Sequence, residues 1–362
     1  MPIRIPIINP VTGAKTFVTA PDPNVTGSSF PDGFAASPGN APQRPTLFSG
    51  YVTRPPWKVA GVDAGYGVGP TAGLVLKNPN NFPAPPGTHK NGQSFHVDAD
   101  NAEITGWNLA VDGGWTIEAE NASNPIITDN AFKIGSNGYC PIALLGEPNG
   151  YVGKGATILR NTIDCDGKRG GFAAPLFFSR SGIFKIQYNW IKNVYEDLID
   201  CGGGGTGSPN EASYDIRFNL LENSGQGLGH PDIIQTFAGN KYGLFVVDYN
   251  TVVIDNSQGT QGLVLQGNQN SPLATFKGGS VSSNTFVFKI PSGLMNFGIG
   301  IAVGQSTGPW AAKTNYVDPS SLSPITLFLK NFQGGSQVGG SAVGQGNVNL
   351  KTGDGVGLNN FS

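Results

Sequence analysis

Ile186-Gln187-Tyr188-Asn189-Trp190-Ile191 decides the fold once it is set beside Ile216-Arg217-Phe218-Asn219-Leu220-Leu221, 30 residues further on. Each segment places a β-rich triplet before an asparagine and an apolar pair after it. The same texture recurs in Ile127-Thr128-Asp129-Asn130, Ile158-Leu159-Arg160-Asn161-Thr162-Ile163, Val247-Asp248-Tyr249-Asn250-Thr251-Val252 and Val281-Ser282-Ser283-Asn284-Thr285-Phe286, so that successive asparagines lie 31, 28, 30, 31 and 34 residues apart. A period of roughly 20–50 residues marks a repeat architecture, and short β-rich packets without a helical pattern make it a β-solenoid. Asparagine suits a fixed corner because it tolerates left-handed backbone angles and because its amide can bond to backbone groups and to the amide one coil above. An earlier coil is expected to carry Gly106-Trp107-Asn108-Leu109. The competing β-sandwich requires hairpin dipeptides such as Asn-Gly at regular spacing, and these are scarce. The expected fold is all-β, a right-handed parallel β-helix.

Composition agrees. The chain holds 54 glycines in 362 residues and only 13% charged residues, the balance of many short strands joined by glycine-rich corners. Net charge is −2, and no lysine or arginine run provides a footprint for nucleic acid or a membrane surface. No stretch approaches the ~20 apolar residues of a membrane helix, and prolines interrupt the apolar N-terminus before it resembles a signal-peptide core. The three cysteines, Cys140, Cys165 and Cys201, are odd in number and lack CxxC spacing, which points to buried thiols and not to a disulfide framework or a zinc site.

Sixteen of the 27 prolines precede residue 90. Proline removes ladder donors, so residues 1–95 are expected to form an irregular arm and N-terminal cap, with Trp57 over the first coil. The solenoid is expected over residues 96–330. From residue 331 to 362 the chain is rich in glycine, asparagine and glutamine, an irregular last coil or a packing tail.

Stacked coils turn sequence spacing into spatial neighbours. Aligning Asp197-Leu198-Ile199-Asp200 with Asp232-Ile233-Ile234-Gln235 and with Leu263-Val264-Leu265-Gln266 gives an inward ladder of Phe178, Ile199, Ile234 and Leu265. That register stacks Asp197 on Asp232 and Asp200 on Gln235, with His230 and Arg180 close by. Strands about 4.7–4.9 Å apart would bring these side chains into one patch. Neighbouring carboxyls push their proton affinities apart and ready one as acid and one as base. Alternatively Asp197, Asp200 and Asp232 could hold calcium, with Arg180 or His230 assisting proton removal in a lyase reaction. Gln235, Gln266, Tyr195, Lys168 and Arg169 are the candidate sugar-binding residues around this patch.

The coils over about residues 97–330, with their asparagine corners, resemble the pectate-lyase-like superfamily of parallel β-helices, which includes pectate lyases, polygalacturonases and many phage tailspikes. The resemblance implies a groove on the side of the β-helix that binds, and cuts by lyase or hydrolase chemistry, a polysaccharide that could be acidic, in an extracellular or virion-associated protein. It also implies an alternative, a non-catalytic carbohydrate-binding spike, commonly a homotrimer. The chain lacks the paired Asp-Asp of polygalacturonases and the Arg-Pro-Arg-like motif of pectate lyases.

Overall fold

The structure is a computed structural model that describes residues 4–8, 15–19, 40–134, 140–169, 174–203, 205, 208–227, 231–237, 239–260, 262–265, 274–290, 299–301, 306, 308–318, 327–329, 342–356 and 358–360. It is all-β. Three sheets, of 11, 9 and 10 strands among the described residues, form the walls of a solenoid; their pairings are parallel except at one end of the first, where Thr88–Asn91 runs antiparallel to Ser94–Val97, and of the third, where Gly355–Val356 runs antiparallel to Asn347–Asn349. One coil illustrates the path: Leu176–Ser179 lies in the first sheet, Gly182–Gln187 in the second and Trp190–Lys192 in the third, after which Ile199–Cys201 re-enters the first one coil on. A separate antiparallel hairpin pairs Arg4–Ile8 with Lys15–Thr19.

Alternation along each strand fills the interior. Ile117, Ile142, Leu176, Ile199, Ile234 and Leu263 stack inward in the first sheet, and Ile158, Ile186, Ile216 and Val247 do so in the second. Fully burying one such side chain is worth about 1.5–3 kcal/mol, and identical shapes stacked in register leave few voids. Aromatic rings continue the theme, with Phe184 on Tyr214 at 4.7 Å and Tyr242 on Phe276 at 4.8 Å. The two inward tyrosines place their hydroxyls on backbone, Tyr214 donating to Gly202 O at 2.5 Å and Tyr242 to Cys201 O at 2.7 Å. Cys140, Cys165 and Cys201 are free and buried.

The asparagines lie buried at the corner between the second and third sheets. Each Nδ2 donates to the Oδ1 of the next asparagine, from Asn130 through Asn161, Asn189, Asn219, Asn250 and Asn284, at 2.9–3.1 Å. Asn315 and Asn347 extend this ladder at 3.1 and 3.0 Å, so the solenoid runs past residue 330, and Leu358–Asn360 still pairs within the first sheet. Two expectations about this corner change. Left-handed φ belongs to the residue before each asparagine, as at Arg160, Tyr188, Phe218 and Tyr249, and not to the asparagine itself. In the earlier coil Trp107, not Asn108, holds the ladder position: its backbone N–H donates to Asn130 Oδ1 at 2.9 Å, and Asn108 pairs with Ala131.

The proline-rich segment does not simply cap the first coil. It lies as a strap across the outer face of the third sheet. Thr53 N–H donates to Leu350 O, Trp57 packs edge-on to Tyr249 and Tyr316, Thr251 Oγ1 donates to Ala60 O, Gly69 N–H donates to Tyr188 O, and Lys77 bridges Trp107. Trp57 is therefore far along the solenoid, and only the far end of the strap reaches the early coils. The cause is legible in the sheet, whose outward positions include Leu220, Val253 and Val287. A parallel sheet apolar on both faces needs a cover, and Leu47, Val59, Ala60, Val62 and Val68 provide it. Arg44 pins the strap by ion pairs to Glu222 and Asp255.

Candidate functional site

Asp200 is the central, outward residue of its strand, and the register confirms Gln235 as its neighbour on the next coil. On its other side stands Phe177, followed by Ala143 and Glu118. Asp197 lies in the corner just before this strand. Its Oδ1 accepts the Asp232 backbone N–H at 2.5 Å, and Leu198 N–H donates to Asp232 O at 3.0 Å, so the two corner segments are tied together. Asp197, Asp200 and Asp232 thus form one cluster.

All three are buried, at 3%, 2% and 0% exposure. Burial of a carboxyl costs free energy unless it is protonated or partnered, and here partners are few. Asp200 Oδ1 and both carboxyl oxygens of Asp232 are buried without a hydrogen-bond partner. Burial raises Asp197 to about 7, opposed by the Asp232 N–H and a hydrogen bond with Asp200. Burial first, and then the Asp197 charge, push Asp200 well above the usual carboxylate range. Asp232 is pushed well up by burial and by both other acids. Burial thus favours the protonated form of Asp200 and Asp232, while Asp197 titrates near 7.

This predicts a specific pH dependence. The folded state holds protons that the unfolded chain releases near pH 4, so the cluster's favourable contribution is complete below that pH and declines as pH rises through about 7. Asp232→Asn removes one ionisation. Its melting temperature is expected to exceed that of the parent by several degrees at pH 8 and by much less at pH 5; an equal difference at both values would refute the assignment.

The other expected site residues divide. Arg180 is fully buried and points into the solenoid wall, where its guanidinium donates to Leu145 O at 2.6 and 3.1 Å, to Ala122 O at 2.9 Å and to the carbonyls of Ala119 and Glu120. Burial lowers it to about 10, so it stays charged at neutral pH and ties backbone carbonyls together. It is not placed to act as electrophile or base. Tyr195 lies against Gly227, where a Cβ would fall about 2.1 Å from its ring. Arg169 pairs with Glu196 at 3.3 Å, beside Asp197, and Lys168 pairs with Asp166 at 3.3 Å. His230 and Gln266 lie outside the described residues.

The register departs from expectation by two residues on both flanks: Ile199 faces Leu176 and not Phe178, and Ile234 faces Leu263 and not Leu265. Gln235 accordingly neighbours Val264. Phe177, half-buried on the outward ladder beside Asp200, is the site residue that sequence reasoning missed. Its signal was present, since an aromatic at an outward position beside an acid has no core to fill.

Calcium takes roughly six to eight oxygen ligands. Among the described residues no group of three or more His, Cys, Asp or Glu side chains is arranged to hold a metal ion. The cluster does not fit the calcium expectation.

The fold defines a parallel β-helix protein. No family model, curated protein or solved structure matches the chain.

Proposed function

We propose that the chain binds a polysaccharide along the outward face of its first sheet and hydrolyses it at the Asp197, Asp200 and Asp232 cluster. The observation that carries this reading is the set of three buried carboxyl oxygens without partners, in a chain with so few charges. Buried, unpaired acids lower stability, and such arrangements concentrate at functional sites. Asp232, whose proton burial helps to retain, suits a general acid and Asp197, titrating near 7, a general base. In the step proposed, the glycosidic bond between the anomeric carbon and its leaving oxygen breaks, and Asp232 gives that oxygen a proton. Water adds to the anomeric carbon and its proton passes to Asp197. The half-buried Phe177 ring offers a surface for the apolar face of a pyranose.

The test is incubation of the full chain with a broad panel of polysaccharides, following reducing ends and absorbance near 235 nm. Reducing ends from at least one polymer are expected. No product from any polymer, with the protein folded by circular dichroism, would overturn hydrolysis; retention of a polymer in an affinity gel without product would favour the non-catalytic spike or binding protein instead.

A further inference from the structure

We infer that Asn91-Gly92, at the tip of the hairpin formed by Thr88–Asn91 and Ser94–Val97, is a site of spontaneous modification: the Asn91 amide is lost as ammonia, an aspartyl or isoaspartyl residue takes its place, and His96 supplies the proton to the leaving group.

The chain has three Asn-Gly pairs, Asn91-Gly92, Asn137-Gly138 and Asn149-Gly150, of which the second lies outside the described residues. Such a pair reacts with itself when the glycine backbone nitrogen reaches the asparagine Cγ, and glycine helps because no Cβ hinders the approach and its backbone turns freely. Asn91 and Gly92 are both exposed, and a Cβ added to Gly92 would meet nothing within 4 Å. Gly92 sits at φ +59° as the second residue of the turn that closes on the Asn91–Ser94 pair. The bond within such a turn runs from the fourth residue to the first, so the N–H of the second is left to solvent. Asn149-Gly150 is equally exposed but tied down. Gly150 N–H donates to Glu147 O at 3.0 Å, Asn149 N–H to Gly146 O at 2.9 Å, and Asn149 Nδ2 to Ser179 Oγ at 3.1 Å. Attacking nitrogen and amide are both held there, and both are freer at the hairpin.

His96 Nε2 lies 3.5 Å from Asn91 Nδ2 and 3.2 Å from Glu118 Oε2. An ionised carboxylate only accepts, so the ring nitrogen that faces it carries the proton. In the resting amide the Nδ2 lone pair is delocalised and cannot take that proton. Attack changes this. The Gly92 nitrogen gives its own proton to solvent and bonds to Asn91 Cγ, the carbonyl electron pair moving onto Oδ1, and Nδ2 becomes an amine with a free lone pair. As the pair returns from Oδ1 the Cγ–Nδ2 bond breaks, Nδ2 takes the His96 proton and leaves as ammonia, and water reprotonates His96. A second water opens the five-membered ring at Cγ, giving aspartate, or at the Asn91 backbone carbonyl, giving isoaspartate with an extra methylene in the chain. A donor that engages the leaving nitrogen only after attack stabilises the transition state and not the ground state. The product sets a third carboxyl beside Asp98 and Glu118 around the stacked His89 and His96 rings, whose centroids are 5.2 Å apart. Isoaspartate also lengthens the strand that ends the first sheet, at the residue that pairs with Ser94.

The experiment holds the full chain at pH 7.5 and 37 °C for a month and samples it by peptide mapping with mass spectrometry, each event adding one dalton, with isoaspartate scored by enzymatic methylation. Asn91 is expected to convert at least five-fold faster than Asn149 in the folded chain. That ratio is expected to shrink at least two-fold in the chain unfolded in urea, where the bonds that hold Asn149 are gone. His96→Gln, which keeps a hydrogen-bond donor but has no proton to transfer, is expected to slow Asn91 at least three-fold and to leave Asn149 unchanged. Conversion of Asn91 no faster than that of Asn149 in the folded chain, or the same ratio folded and unfolded, would overturn the inference. An Asn91 rate indifferent to His96→Gln would overturn the part given to His96.

Discussion

Asn219→Leu is expected to lower stability by about 4 kcal/mol, and at 37 °C to leave little folded protein. Asn219 accepts from both the backbone N–H and the side-chain amide of Asn189, at 2.9 and 3.0 Å, and donates to Ile186 O at 2.8 Å and Asn250 Oδ1 at 2.9 Å. Leucine matches its size but silences all of these bonds, and a fifth from Nδ2 to Arg217 O at 3.0 Å, in a fully buried corner, stranding the Asn189 N–H and the Ile186 carbonyl. Each stranded group costs roughly 1–3 kcal/mol, and the amides above and below lose alignment as well. Asn108→Ala serves as the control. Asn108 lies just off the ladder, with its amide oxygen only receiving the Ala110 N–H at 3.3 Å, and the change is expected to cost under about 1 kcal/mol. Thermal and urea unfolding measure both; comparable losses in the two variants would remove the ladder from its central role.

Asp197→Asn and Asp232→Asn are expected to lower kcat on a cleaved polymer by a factor of about 10²–10⁴, the usual range for a lost acid or base. The two should also separate in their pH profiles. Asp197 titrates near 7, so its replacement removes the limb of the parent profile in that range, whereas Asp232→Asn leaves that limb and lowers the plateau. In the Asp197→Asn variant the amide oxygen can still accept the Asp232 N–H, so the corner is expected to hold its shape. Unchanged kcat in either variant would rule that residue out of the chemistry, and a loss of binding without a loss of kcat would make it a contact residue.

The asparagine period was legible because the ladder imposes one residue type at one corner in every coil, and spacing then gives the coil length. The cause assigned to it was only half right. Cross-coil bonding holds, but the left-handed turn falls one residue earlier, on side chains as large as Tyr188 and Phe218, which stack at 5.1 Å beneath the strap. The inward ladder was legible in parity and not in partner: a two-residue slip keeps every side chain on its face, so Phe178 and Leu265 still point inward while lying beside the wrong coil-mates. That slip is also why Arg180 was expected in the patch. Its neighbours are carbonyls of two earlier coils, and no charge pattern in sequence signals a guanidinium that serves backbone. Asp197, Asp200 and Asp232 came together as expected because their own two coils align without a slip. The strap was invisible because its contacts with Leu350 and Asp318 join Thr53 and Tyr51 to residues far along the sequence, 267 positions on for Asp318, and irregular chain carries no periodicity to reveal them.

In an ordinary solenoid each repeat touches only its neighbours, so unfolding can begin by peeling the last coil from either end. Here the chain crosses its own stack lengthwise, joined to Leu350 near one end and to Trp107 near the other. Synthesis delivers this segment before the coils it crosses, and its seat is complete only after Leu350 has emerged. It must therefore wait undocked through translation and close as a late event. Once closed it acts like the clasp on a stack of rings. Loss of a terminal coil then requires the clasp to open first, which raises the barrier to unfolding and gives persistence in time beyond what equilibrium stability alone provides.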